Sequence, residues 1–416
     1  MKSIHRFLGS PAGRALALLL CGCVGLVACP PGGGKALLPA AGLPEYQEIA
    51  AIEVPGGRVN VAGGNLQVRR VDLSIDTQLG TREIGATFDT TTGEWLWSFD
   101  LSYDGSRFRD PTGAVHPVAS VTPGQAIPGT VWVVVDGDTV KTKGGLAHDF
   151  DAEGHLAAIH WTSSPYPRLA VTSSLVAGQW RPTRISQCTA AASCTDVFDL
   201  GYDGAGRLGS IVDRAGRRAE FSWNASDRLQ TARDGLDIAR GWPGFRYEYS
   251  GSHISSITNS EGERTEYSYD AAGRLREVRQ IGGGDPVHRF AYQKKIDGLY
   301  WTRFWSPTGH ETRYRYDANR RLREVEQVGT GELTLRLWSG VRPLAETDPS
   351  GATTRWSWVG DDVATLTEPW GNEVNFSWAP DAVNREAPFE RPLLAAADTL
   401  GPLESRSYDG TGRLTA

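Results

Sequence analysis

The 416-residue chain is 40% hydrophobic and 22% charged, the composition of an ordinary globular protein able to bury a substantial core. Its net charge of -6, with no basic block interleaved with stacking aromatics, argues against a nucleic-acid partner. The 49 glycines, 14 tryptophans and 13 tyrosines point to many turns and to sheet rather than helix.

Residues 1–28 read as an export signal. Lys2, Arg6 and Arg14 precede an apolar run, Ala15 to Ala28, that is too short to span a membrane as a mature helix. The run ends in Leu26-Val27-Ala28-Cys29, which resembles a bacterial lipobox. That resemblance implies diacylation of Cys29, cleavage before it and acylation of the new amino terminus. An ordinary signal peptide and an uncleaved anchor are the alternatives. Several acyl chains on one residue make a stable anchor. Pro30 follows the cysteine, where the aspartate associated with inner-membrane retention is absent, so the expected destination is the outer membrane. Residues 29–45, with Pro30-Pro31-Gly32-Gly33-Gly34-Lys35 and an alanine- and leucine-rich stretch, read as a flexible tether.

Residues 46–194 read as a β-rich N-terminal region of short strands broken by Gly, Pro and Asp. Its clearest strand is Thr130 to Val135, ending at the turn pair Asp136-Gly137. Near its end only five residues separate Cys188 from Cys194. In an oxidising compartment that pair reads as a disulfide closing a small loop. A zinc site would need two further ligands and tighter spacing.

From residue 195 to 416 a motif returns, Tyr-Asp-x-x-Gly-Arg-Leu. It is complete at Tyr202-Asp203-Gly204-Ala205-Gly206-Arg207-Leu208, at Tyr269 to Leu275 (with Asp270, Gly273 and Arg274) and at Tyr408 to Leu414 (with Asp409, Gly412 and Arg413). A degraded copy places Arg320 at the glycine position between Tyr316-Asp317 and Leu322. Looser echoes run from Phe150 to Leu156 and from Trp223 to Leu229. A motif that recurs in this way marks one structural unit stacked on itself, not a catalytic centre.

Aromatic pairs two apart, such as Tyr247/Tyr249, Tyr267/Tyr269 and Trp356/Trp358, place both rings on one strand face. After a turn come two apolar residues three apart, as in Leu208/Ile211 and Leu275/Val278. A spacing of three does not fit one face of a regular strand, so the first of the two is expected at a turn exit or beside a bulge. A second turn then begins with a polar residue and has Gly fourth, as in Asp213 to Gly216 and Asp348 to Gly351. The unit is strand, turn, strand, turn, about 20 to 24 residues per cycle.

On these motifs the chain resembles the YD-repeat (Rhs) family, most strongly over residues 195–416. Arg58 to Leu66 and Val71 to Ser74 are similar to the segment that opens many such polypeptides. The resemblance implies a spiralling β-sheet that curls toward a hollow shell, which in polymorphic toxins encloses a C-terminal toxic domain. The chain departs from that pattern in having about nine cycles, an incomplete last repeat from Tyr408, and no core or toxin domain after it. Asp348-Pro349-Ser350-Gly351-Ala352 is superficially similar to the family's cleavage motif but occupies a second turn and lacks the leucine.

The densest cluster of potential ligands is His148, Asp149, Asp151, Glu153, His155 and His160. Its start imitates a calcium loop, yet His160 stands where a bidentate Glu is required. A YD-type turn between strands explains Phe150, Gly154, Leu156 and Ile159 together, so no metal is expected. Asp361 and Asp362 are paired carboxylates, but they sit in the first turn of a repeat cycle. The aspartates of the motif share one position, so none is expected to be catalytic alone. Arg207, Arg274 and Arg413 either line a ladder with neighbouring acids or are exposed.

The sequence therefore predicts an all-β fold of stacked antiparallel hairpins forming a curved, open, spiralling sheet, a partial Rhs-type shell. The expected role is non-catalytic and cofactor-free. It is an outer-membrane-anchored scaffold or binding lipoprotein, on the periplasmic or cell-surface side, or a remnant of a toxin-delivery polypeptide. It would contact the membrane through lipid and a glycan or protein partner through the open sheet. A second reading is a shell component completed by a partner chain in a polymorphic toxin system, and a third is an envelope polysaccharide hydrolase.

Overall fold

The computed structural model describes residues 50–416 apart from 112, 128–129, 192, 283, 285, 297, 341, 361, 380–390, 410–412 and 416. The export signal, Cys29 and the tether lie outside the described residues, as do Asp361 and Gly412.

Each hairpin of the repeat follows from its register. Tyr267 lies opposite Val278 and Tyr269 opposite Leu275, with a shift between the two pairs that leaves Arg276 as the extra residue. The same shift recurs at Tyr202/Leu208, Tyr249/Ile254, Tyr316/Leu322 and Trp358/Val363. A bulge restores to one face two apolar residues that strict alternation would put on opposite faces. The bulge expected beside the turn is therefore present, and Leu275 and Val278 are both fully buried.

These hairpins stack into one antiparallel sheet of 25 strands, from β9 (Trp132–Val134) to β33 (Gly401–Ser405), each paired with its sequence neighbour. Among the described residues no pairing joins β33 to β9, and the sheet is open. It runs through residue 195 without interruption, because β15 spans Ser193–Tyr202 and pairs with both β14 (Gln179–Ala190) and β16 (Leu208–Asp213). The sheet thus begins well before the first complete YD motif.

The N-terminal strands are longer than their broken sequence suggests. β3 (Leu66–Thr77) and β4 (Gly80–Asp89) belong to a five-stranded sheet with β1 (Ala51–Val54), β2 (Gly57–Asn60) and β5 (Glu94–Trp97). A three-stranded sheet follows, β6 (Ser102–Tyr103), β7 (Arg107–Arg109) and β8 (Val115–Pro117). β13 (Ser164–Val176) and β14 form the longest hairpin of the large sheet.

The five-stranded sheet packs on the ring-bearing face of the repeats. Val59, Leu66, Phe88 and Trp97 share one core with Phe198, Ile211, Leu229, Ile254 and Leu275. Trp97 meets Phe221 edge-on at 4.6 Å and Trp95 meets Tyr247 at 4.9 Å, geometry that suits the ring quadrupoles. Polar seams register the two layers. The Trp95 indole donates to the Tyr249 hydroxyl at 2.9 Å and the Tyr267 hydroxyl donates to the Pro55 carbonyl at 2.8 Å. Arg70, its side chain 8% exposed and paired with Asp72, donates to the Tyr247 hydroxyl at 2.9 Å.

One helix, α1 (Gly235–Arg240), interrupts the repeats where the sequence reading places strand and turn only. Asp234 caps it in a box with Asp237, and Gly241 ends it at a φ of 67°.

Candidate functional site: the turn brackets and the two sheet edges

The recurrent polar residues of the motif are consumed inside their own turns. In Asp270, one carboxylate oxygen accepts from the Ala272 and Arg274 amides at 2.9 and 3.0 Å, and the other accepts from the Arg274 guanidinium at 2.8 Å. Asp203 holds Ala205 and Arg207 in the same way, and Asp317 holds Asn319 and Arg321. Hydrogen bonding from Arg207 keeps the Asp203 carboxyl below the usual carboxylate range. Burial of Asp270 opposes that effect, but the Arg274 bonds outweigh it and its pKa is also lowered. Arg207 reaches Asp227 of the next turn at 2.7 Å, whereas Arg274 lies over the Tyr292 ring at 4.7 Å. The arginines are thus brackets of single turns with varied second contacts.

The motif tyrosine ties each cycle to the one before. The Tyr202 hydroxyl donates to the Pro182 carbonyl at 2.6 Å and the Tyr269 hydroxyl to the Ile254 carbonyl at 2.8 Å. Where tryptophan replaces tyrosine, its indole N–H makes the equivalent bond, as from Trp223 to Leu208 and from Trp378 to Val363. Tyr316 stacks on Tyr300 instead, at 5.7 Å. Tyr408 donates to the Leu393 carbonyl at 3.4 Å, the Arg413 amide donates to Asp409, and Tyr408 bridges Leu414.

The two ends of the sheet differ. The outer side of β9 is covered, since the Gly124 and Ile127 amides donate to the Val134 and Trp132 carbonyls at 2.8 and 2.7 Å, and the Val134 amide donates to Gln125 at 3.1 Å. β33 pairs with β32 (Leu393–Asp398) on one side. Among the described residues no strand pairs with its other side. Pro402, which has no N–H, sits in this strand, a position that edge strands tolerate.

Cys188 and Cys194 face each other across β14 and β15 with Cα atoms 3.9 Å apart and their sulfurs bonded. The histidine cluster is divided. His148 is buried edge-on to Trp132 at 4.9 Å, and burial drives its pKa down to about 3. His160 faces the other side, bonded to Asp149 at 3.1 Å, which raises its pKa. Asp151 instead brackets Glu153 and His155 as a YD-type turn. Among the described residues no three such side chains converge on a metal position. Asp362 is paired with Lys143 and Arg391.

Residues 247–285 match the family model for the RHS repeat. No curated protein matches the chain. Solved structures that resemble it include a crystal structure of TcdB2-TccC3-TEV, at 12% identity and a TM-score of 0.38, covering 88% of this chain and 20% of that one. A Photorhabdus luminescens Tc holotoxin pore carrying TccC3-D651A gives 10% identity and a TM-score of 0.35, with 84% and 22% covered. The chain therefore spans about a fifth of the length of these structures, and scores this low carry no argument about its role.

Proposed function

We propose that this chain is a non-catalytic scaffold, a YD-repeat lipoprotein of the outer membrane that presents the free edge of its sheet to a protein strand. The observation that carries this reading is the asymmetry of the edges among the described residues: the outer side of β9 is covered by residues 124–127, while no strand pairs with the outer side of β33. Such an edge is a template for strand addition. The RHS repeat match supports a repeat scaffold, and the closed Asp–Arg brackets leave the recurrent polar groups no role beyond holding turns. The lipobox-like Leu26 to Cys29 supports anchoring.

Mass spectrometry of the mature protein tests the anchor, with a lipid-modified Cys29 at the amino terminus as the expected result. An uncleaved signal, or an unmodified terminus elsewhere, would overturn it. Incubation with envelope polysaccharide tests the scaffold reading against the hydrolase reading. Release of new reducing ends by the full chain would overturn the scaffold.

A further inference from the structure

The large sheet is open along its backbone ladder, yet its start and its last cycles meet through side chains. β10 (Thr139–Thr142) and β11 (Leu146–Phe150) lie near the start of the ladder, and β29 (Thr353–Val359) and β30 (Asp362–Thr367) lie near its end. The Lys143 ammonium, in the turn after β10, stands 3.9 Å from one carboxylate oxygen of Asp362, the first residue of β30. The Arg391 guanidinium holds the other oxygen at 2.9 Å. In a ladder that pairs only sequence neighbours, such a contact means that the sheet has come round on itself. The turn after β10 and the turn before β30 are the two sides of a seam.

Each side holds its charge in place. The Lys143 amide donates to the Val131 carbonyl at 3.1 Å and the Gly145 amide to the Thr142 carbonyl at 3.0 Å, which fixes the turn that carries the lysine. Asp362 lies opposite Val359 at the tip of its hairpin, next to the buried Val363. The Lys143 and Asp362 side chains are 9% and 13% exposed, much less than ladder pairs such as Arg264 with Glu248. Exposed pairs contribute little, whereas breaking a desolvated pair strands a charge.

The apolar cores do not cross the seam. The cluster of Trp356, Val363, Leu366, Val374 and Ala396 takes in no residue of the first strands. The cluster that holds Trp132, Val140 and Phe150 takes in none of the last. A polar contact between two separate cores can open without breaking up either one.

We propose that Lys143 and Asp362 form a lock across this seam, which holds the last cycles against the start of the sheet and releases them as a unit when the pair is broken. β33 lies beyond β30 in the same ladder, so the lock sets where the free edge stands. The inference goes beyond the scaffold reading and does not depend on what pairs with that edge.

The test is amide hydrogen exchange of the full chain in detergent. Lys143→Gln and Asp362→Asn should each speed exchange about tenfold at Val363 to Leu366 and at Val374 to Phe376, the effect of losing one charge-assisted contact. Tyr247 to Tyr269 should exchange as in the parent. The double variant should stay close to tenfold and not reach the hundredfold of independent effects, because each residue acts through the other. Unchanged rates in either single variant, a hundredfold effect in the double, or a uniform rise that includes Tyr247 to Tyr269 would overturn the proposal. Lys143 sits in a turn outside both cores, so its replacement keeps the test valid even if Asp362→Asn disturbs its own hairpin through Arg391.

Discussion

At the scale of the residue, the turn glycine is the position where backbone strain is decided. Gly206 and Gly273 have φ of 79° and 77°, and in the degraded copies Asp227 and Arg320 adopt 58° and 61°. The left-handed region costs an L-residue roughly 1–2 kcal/mol, partly offset by the extra unfolded-state freedom of glycine. Arg320→Gly should therefore stabilise the fold by up to about 1 kcal/mol in urea unfolding. Gly273→Ala should destabilise it, since its Cβ would come within 3.0 Å of His253 in a conformation that already disfavours it. The sequence displays this position openly, because the motif repeats it with glycine in three copies.

Asp100 was not legible in the same way, since its environment is assembled from segments far apart in the chain. Burial pushes its carboxyl up from 3.8 to about 6, against the Trp97 amide bond and the nearby arginines. The folded-state pKa lies above the unfolded one, so the folded state holds the proton more tightly. The ionised carboxyl opposes folding, and its burden is absent below about pH 4 and grows as pH rises through about 6. Asp100→Asn keeps an acceptor for Trp97 and should flatten the fall in melting temperature across that window. A parent-like pH profile in the variant would contradict the assignment.

At the scale of the element, the aromatic–x–aromatic rule and the spacing of three read directly as hairpin and bulge, because each records which face a residue occupies. One cycle breaks the pattern. In β27 (Glu332–Ser339) and β28 (Arg342–Thr347), Arg336 and Glu346 sit directly opposite each other at the positions taken elsewhere by pairs such as Tyr267 and Val278. They form an ion pair at 2.6 Å, each side chain about a quarter exposed. Replacing one partner strands the other charge, whereas replacing both with apolar residues restores the rule of the neighbouring cycles. Arg336→Phe alone should lower stability by about 1–3 kcal/mol, and the double change with Glu346→Val should recover most of it in a double-mutant cycle. Additive losses would contradict this account.

The bracket of Asp270 and Arg274 belongs to the same scale. Sequence spacing left open whether the motif arginines pair along the sheet or lie exposed. The answer depends on the turn curling back on itself, which brings a residue four positions on within reach of the aspartate. The helix α1 escaped notice because a short helix cannot show a sustained apolar period. Its signal was the Asp234–Asp237 capping box.

At the scale of the whole molecule, the repeat made the sheet legible, while the five-stranded sheet packed on its inner face was not. That layer is specified by contacts such as Trp95 with Tyr249 and Arg70 with Tyr247, which join residues more than 150 positions apart. The sequence reading also starts the repeated region near residue 195, because the strands from β9 to β14 lack a full motif to mark them. They are nevertheless part of the same ladder. The disulfide adds to this region, and closing its short loop should contribute about 2 kcal/mol, measured as the loss of stability on mild reduction.

The central claim is that, among the described residues, the sheet has one covered edge and one free edge. Amide hydrogen exchange of the isolated monomer reads both at once. The account predicts slow exchange at Trp132 to Val134 and at Tyr267 to Tyr269, and fast exchange at Leu403 to Ser405. Protection at Leu403 to Ser405 equal to that at Tyr267 to Tyr269 would contradict it.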